Sequence, residues 1–212
     1  MTRDEVVALL HLRLNRTDLE AKIISEMVFV QSFQLEGTGA FLPWFLESEM
    51  ANANAGEGEE RVLLPDDFLG EIEEQSLWLY DATNEDAPYT ELHKSAYDRL
   101  ILRHQISGTP REYALAGDYI LLRPIPDATY NLRMRYYAAD ASLATENIEN
   151  KWLKHAADWL MAEVGAKIAA THIRNLPLAE EFKQDAAIAR QRVYTKHEAR
   201  KHTNRTYGMG ED

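Results

Sequence analysis

Residues able to do acid–base chemistry are abundant in this chain, but their spacing does not assemble them. Asp66 and Asp67 are adjacent, and adjacent side chains on a strand point to opposite faces, so the two cannot share a proton as a general acid–base pair does. A solvated or capping role is expected for both. The acidic run Glu57, Glu59, Glu60 and the pair Glu73, Glu74 offer oxygen ligands, yet the D-x-[DN]-x-[DN]-G spacing of a calcium loop is missing. Seven histidines are scattered at His11, His93, His104, His155, His172, His197 and His202, with no i, i+4 pair and no H-E-x-x-H. Gly37-Thr38-Gly39 has neither the third glycine nor the preceding strand of a dinucleotide-binding loop. No G-x-S-x-G elbow or P-loop is present, and with no cysteine there is no thiolate nucleophile or thiolate zinc site. Trp152 and Trp159, seven apart, suit a helix seam better than a ligand cage. The expectation is therefore no catalysis, no cofactor and no metal.

Basic residues offer a different chemistry. Between 190 and 205 stand Arg190, Arg192, Lys196, Arg200, Lys201 and Arg205, against Glu198 alone, with Tyr194 inside the run and Tyr207 just past it. Cations at the end of a helix complement its dipole. They also suit an arm that folds or docks on another protein, or contact with nucleic acid. Charge is uneven along the whole chain. Residues 1–150 carry 12 Lys/Arg and 27 Asp/Glu, a net of −15, whereas 151–212 carry 11 and 8, a net of +3. An acidic body argues against general nucleic-acid binding, which needs a basic face. The asymmetry suggests that the C-terminal end meets something different from what the rest meets.

Positioning these groups falls to a core that the chain can afford. Its 212 residues are 45% hydrophobic and 27% charged, with a mean hydropathy of −0.43, which is an ordinary globular composition. One domain or two small ones should form without disulfide staples. No apolar run approaches the ~18 residues of a membrane span, and the N-terminus does not read as a signal peptide. The protein is expected to be soluble, away from membranes, and to work where it is made.

Thr2-Arg3-Asp4-Glu5 reads as a capping box before Val6, Val7, Leu9, Leu10 and Leu14, so a helix is expected to about Asn15. Thr17-Asp18-Leu19-Glu20 reads as a second box, followed by an apolar face Ile23, Ile24, Met27, Val28, Phe33 as far as Gly37. Phe41 to Leu46 is apolar but interrupted by Pro43, and Ala51 to Glu60 is small, polar and turn-prone, so a loop or helix end is expected there. Residues 61–68 and 76–81 are strand-like, and Leu92, Ala96, Leu100 and Ile101 predict a helix over 89–105. Tyr113-Ala114-Leu115-Ala116 faces Tyr119-Ile120-Leu121-Leu122 across Gly117-Asp118, a hairpin signal. Arg123-Pro124-Ile125-Pro126 cannot be central strand, and 130–136 alternates as a half-exposed one. From Glu146, Trp152, Leu153, Ala156, Trp159, Leu160, Val164 and Ile168 make a helical stripe to about Ile173. Pro177 opens another helix, with the face Leu178, Phe182, Ala186, Ala189, Val193, and past about 197 the stripe stops. The predicted class is α+β, mainly α. Residues 1–36 and 146–197 form a four-helix bundle from the terminal helix pairs, 60–140 form an inserted β-rich domain, and 198–212 form an extended C-terminal arm.

Taken in order, these pieces resemble the head–tail adaptor (connector) proteins of short-tailed bacteriophages. The likeness rests on Leu64-Pro65-Asp66-Asp67-Phe68, on the hairpin Tyr113 to Leu122 with Arg123-Pro124-Ile125-Pro126, on Tyr130 to Tyr137, and on the helix opened by Trp152-Leu153. It covers roughly residues 1–200, and the stretch from Asp81 to Gly108 is longer than the family pattern. The resemblance implies a structural, non-enzymatic virion protein at the neck, made in the host cytoplasm. It implies a homododecameric ring under the portal protein, a platform for the tail nozzle or another tail protein, and a channel that DNA crosses without specific binding. It further implies that Arg190, Arg192, Tyr194, Lys196, Arg200, Lys201, Arg205 and Tyr207 act as a portal-binding arm. Twelve chains of net charge −12 would place about −144 on such a ring, which repels phosphate and lets a duplex slide. The alternative is a DNA-binding assembly factor that uses the same basic segment.

Overall fold

A computed structural model describes residues 1–37, 39–72, 77–81, 90–102, 105–146 and 148–206, and for residues 51, 52, 81 and 201–206 the backbone alone. The chain divides into two compact units, Met1–Leu46 with Ala139–Asp212, and Glu47–Ala138.

The first unit is helical. Helix α1 (Arg3–Leu14) starts at a reciprocal cap: the Glu5 N–H donates to Thr2 Oγ1 at 3.2 Å, and the Thr2 N–H donates to Glu5 Oε2 at 2.7 Å. It ends at Asn15 in the left-handed region. The second predicted box does not form. Helix α2 (Glu20–Phe29) has Leu19 at its N-cap, two residues past Thr17, and so has no side-chain cap; the Asp18 carboxylate instead accepts two hydrogen bonds from the Arg16 guanidinium at 2.7 and 2.6 Å. Past Phe29 the helix widens into a π-helical stretch, Val30–Leu35. That shifts the phase of the buried face: Gln31 and Leu35 turn inward, while Phe33, predicted on the core face, is 70% exposed.

The stripe predicted as one helix over 146–173 is broken. Helix α4 (Lys151–His155) is capped by Asn150, whose Oδ1 accepts from the Leu153 N–H at 3.1 Å, and Ala156 leaves the helical region. Helix α5 (Ala157–Ile168) follows and widens into the π-turn Ala169–Ile173. Helix α6 (Leu176–Thr206) lies against α5 along Phe182, Ala186, Ala189 and Val193. Gly165 makes the approach possible, since a Cβ there would stand 2.4 Å from the Phe182 ring. Each large side chain fully buried here, Trp152 and Phe182 among them, contributes roughly 1.5–3 kcal/mol.

The second unit is a sandwich of two sheets. Strand β9 (Tyr130–Ala138) is central in one sheet, pairing antiparallel with β1 (Glu47–Ala55), β3 (Phe68–Glu71) and β4 (Leu77–Asp81), with β5 (Thr90–Glu91) outside β4. The other sheet runs β2-β8-β7-β6, from β2 (Arg61–Leu63), β8 (Tyr119–Arg123), β7 (Glu112–Ala116) and β6 (His93–Lys94). Leu77, Leu79, Leu132 and Met134 of the first sheet meet Tyr113, Ile120 and Leu122 of the second in one buried cluster. The β7–β8 hairpin turns at Gly117-Asp118 as expected, and β8 stops at Arg123 before the two prolines.

Three expectations are corrected here. The helix predicted over 89–105 is replaced by β5, β6 and the short helix α3 (Tyr97–Ile101); residues 82–89, 103 and 104 lie outside the described ones. Leu92 is buried in the sandwich, while Leu100 packs with Ala114 and Leu121 in a separate cluster, so the helical spacing of these residues does not mark one helical face. The class is also different. With 46% helix and 24% strand, and nine strands in two sheets among the described residues, the chain is neither mainly α nor a four-helix bundle. Strand β1 replaces the loop or helix end expected at the start of Ala51 to Glu60. Its Ala and Asn residues have little strand propensity, and main-chain pairing with β9, from Glu47↔Tyr137 to Ala55↔Tyr130, is what makes it a strand.

Candidate functional site

The basic residues singled out in the sequence lie on the outer side of α6. Arg190, Arg192, Tyr194, Lys196 and Arg200 are exposed, whereas Val193 and His197 between them are buried. The segment is not an extended arm from its start: helix continues to Thr206, through Lys201 and Arg205, and Tyr207 falls outside the described residues. Nor does it stand clear of the core. His197 is 3% exposed with its ring edge-on to Phe41 at 5.1 Å, and Tyr194 approaches the same Phe41 at 5.3 Å. The Phe41 to Leu46 segment, which ends in a short 3₁₀ turn at Trp44–Leu46, supplies the apolar floor that α6 lacks on its own.

The cations do not all converge. Arg192 leans toward Asp158 at 3.6 Å. Arg190 lines a cavity of about 360 Å³ with Gln34, Phe41, Trp159 and Glu163. Arg200 joins a different group, its guanidinium 4.7 Å above the Trp44 ring. There it borders an open groove of about 570 Å³, lined by Trp44, Phe45, Asp140, Glu149, Lys151, Lys154 and His155. The aromatic floor is continuous: Phe45 stacks on His155 at 5.3 Å and meets the Trp152 ring edge-on at 5.0 Å. Burial lowers the His155 pKa first, and Lys154, Arg200, Lys196 and Lys151 lower it further, so the imidazole is neutral near pH 7. Lys151 and Lys154 escaped the sequence reading. The spacing Lys151-x-x-Lys154 places both on one side of a helix, but by itself it does not show what that side faces.

Behind the groove lies a buried polar network. The Glu36 carboxylate accepts hydrogen bonds from the Trp152 indole N–H, from the Gln31 amide at 3.1 Å and from the Asp140 N–H at 3.4 Å. Gln31 also donates to the Ala141 carbonyl and accepts from the Leu143 N–H. Burial raises the Glu36 pKa, partly offset by these donors. The network positions α4, and hence the lysines of the groove. Sequence reading missed it because the π-helical phase shift alone turns Gln31 inward. Gly37 closes the turn beside it, where a Cβ would stand 2.2 Å from the Phe33 carbonyl oxygen.

None of this assembles a reacting pair. Asp67 accepts from the Tyr136 hydroxyl at 3.0 Å, and no group of three His, Asp or Glu among the described residues is placed to hold a metal ion. The arrangement presents cations and aromatic faces to another molecule.

The SU10 adaptor protein family matches residues 1–207. The chain belongs to that family. No match was found among curated proteins. Membership makes this chain an adaptor, a structural component of a phage particle that works with other head and tail proteins. The match takes in both units and all of α6, so the basic helix is part of the SU10 adaptor fold. The motifs that carried the resemblance are structural in this adaptor. Leu64 to Phe68 is the corner between β2 and β3, with Phe68 stacked on Tyr136, and Trp152 anchors α4. No helix among the described residues is long and apolar enough to cross a membrane.

Proposed function

We propose that this SU10 adaptor forms a homododecameric ring beneath the portal protein, offers a platform to the tail nozzle and continues the DNA channel. Family membership over residues 1–207 is the observation that carries the reading. The exposed basic side of α6, with Arg190, Arg192, Tyr194, Lys196 and Arg200, is proposed as the portal-binding segment together with Lys201, Arg205 and Tyr207, which follow in the sequence. Support comes from the combination of four exposed cations in the described part and a tyrosine, on a helix whose opposite side is committed to the core. Arginine pairs bidentately with carboxylates, and tyrosine adds contact area at low entropic cost. A single exposed pair contributes only about 0–1 kcal/mol, so the affinity arises from many copies held in one ring.

Electron microscopy of the purified chain mixed with its portal protein tests the proposal. A closed ring of twelve copies seated on the portal is expected. Copies that stay dispersed beside intact portals would overturn it. A steep salt dependence of binding to bare duplex DNA, in place of portal binding, would favour the DNA-binding assembly factor instead.

A further inference from the structure

The groove bordered by Trp44 and Arg200 has cations in excess. Its lining cations are Lys151, Lys154 and Arg200, with Lys196 near enough to act on His155 as well, whereas its lining carboxylates are Asp140 and Glu149. Asp140 is engaged with the Lys151 main-chain N–H, and Glu149 with Lys154 at 3.1 Å. The Lys151 and Lys196 ammonium groups have no ion pair among the described residues. The walls beside them are aromatic, so a ligand here meets both charge and flat apolar surface. The site therefore fits a narrow, anionic piece of polypeptide.

The same chain carries such a piece. Charge separates by unit: 47–138 holds 8 Lys/Arg and 18 Asp/Glu, a net of −10, while the remainder holds 15 and 17, a net of −2. Between β1 and β2 the turn reads Gly56-Glu57-Gly58-Glu59. Glu57 and Glu59 are exposed; Glu59 accepts the Gly56 N–H at 2.9 Å, which shapes the turn, and Glu57 has no ion pair among the described residues. The alternate positions are glycines without side chains, so the turn is slim enough to enter a groove of about 570 Å³. Asp66 and Asp67 are less suited, because Asp67 is held by Tyr136 and no glycine flanks Asp66.

We propose that the cationic groove of one copy receives the Glu57–Glu59 turn of a second copy. Groove and turn are different surfaces, so the contact is head-to-tail, the kind that closes into a ring when the rotation between copies closes. The inference rests on the ring reading above and names the faces that meet.

The test is a charge swap read by sedimentation or mass photometry at low salt. Lys151→Glu with Lys154→Glu gives a groove variant, and Glu57→Lys with Glu59→Lys gives a turn variant. Both avoid Arg200, which is shared with the proposed portal surface. Each variant alone should self-associate at least roughly tenfold more weakly than the natural chain. An equimolar mixture of the two should recover association, because each then offers the charge that the other needs. Circular dichroism confirms that each variant is folded. Unchanged association in either folded variant overturns the inference. So does recovery only when all four substitutions sit in one chain and never on mixing, since that is contact within a copy. Portal recruitment of the natural chain, measured alongside, reports on the portal reading separately.

Discussion

The Trp152 indole donates its N–H to the carboxylate of Glu36, a residue 116 positions earlier in the chain. That bond ties the end of the π-helical stretch to α4 and secures the floor of the cationic groove. Trp152→Phe keeps the ring and removes the donor, leaving a buried carboxylate short of one partner. A loss of about 1–3 kcal/mol is expected, read from the urea midpoint at unchanged slope. A variant as stable as the natural chain would show that the bond contributes nothing net.

Glu36 also sets a pH dependence. Burial raises its folded-state pKa above the ordinary value of 4.5, so the folded state holds the proton more tightly than the unfolded one. Stability from this group is greatest below that ordinary value and falls as pH rises through the raised one. Asp18 has the opposite sign. Its hydrogen bonds from Arg16 hold it at about 2, so its contribution is present above the usual aspartate range and lost toward pH 2, and exposure keeps it small. Glu36→Gln should therefore flatten the decline of stability from pH 4.5 upward, measured as unfolding midpoint against pH. An unchanged slope would assign the decline to other groups.

Gly165→Ala probes the approach of α5 and α6. The added Cβ would stand 2.4 Å from the Phe182 ring, so the ring or the helix must move. A cost of about 1–3 kcal/mol is expected. Phe182→Leu in the same chain should relieve part of it, giving a favourable coupling in a double-mutant cycle. Strict additivity would place the strain elsewhere.

Deleting 198–212 removes the end of α6 beyond His197, the last of its buried residues among the described ones. The deletion removes the Arg200–Trp44 contact, worth about 0.5–1 kcal/mol, and the thermal midpoint should fall by only a few degrees. Recruitment to the portal should be abolished. Normal recruitment, or unfolding of the helical unit, would count against a portal-binding role for this segment.

Local chemistry made several elements legible from sequence. The Thr2–Glu5 cap, the β7–β8 hairpin and the alternation of β9 are each specified by residues a few positions apart, and each forms where expected. The basic side of α6 was legible for the same reason, since charge needs no partner to be counted. What sequence could not show depends on partners distant in the chain. Strand β1 exists because β9 needs a neighbour for its main-chain groups, whatever side chains the neighbour carries. Gln31 is buried and Phe33 exposed because the helix widens there, and a 3.6-residue period misassigns both. Lys151 and Lys154 became part of a groove only when Glu36 fixed α4 and Trp44 came beneath Arg200. Short-range periodicity and capping belong to the sequence; burial of a polar group, and the meeting of cations across elements, are decided by packing over long separations.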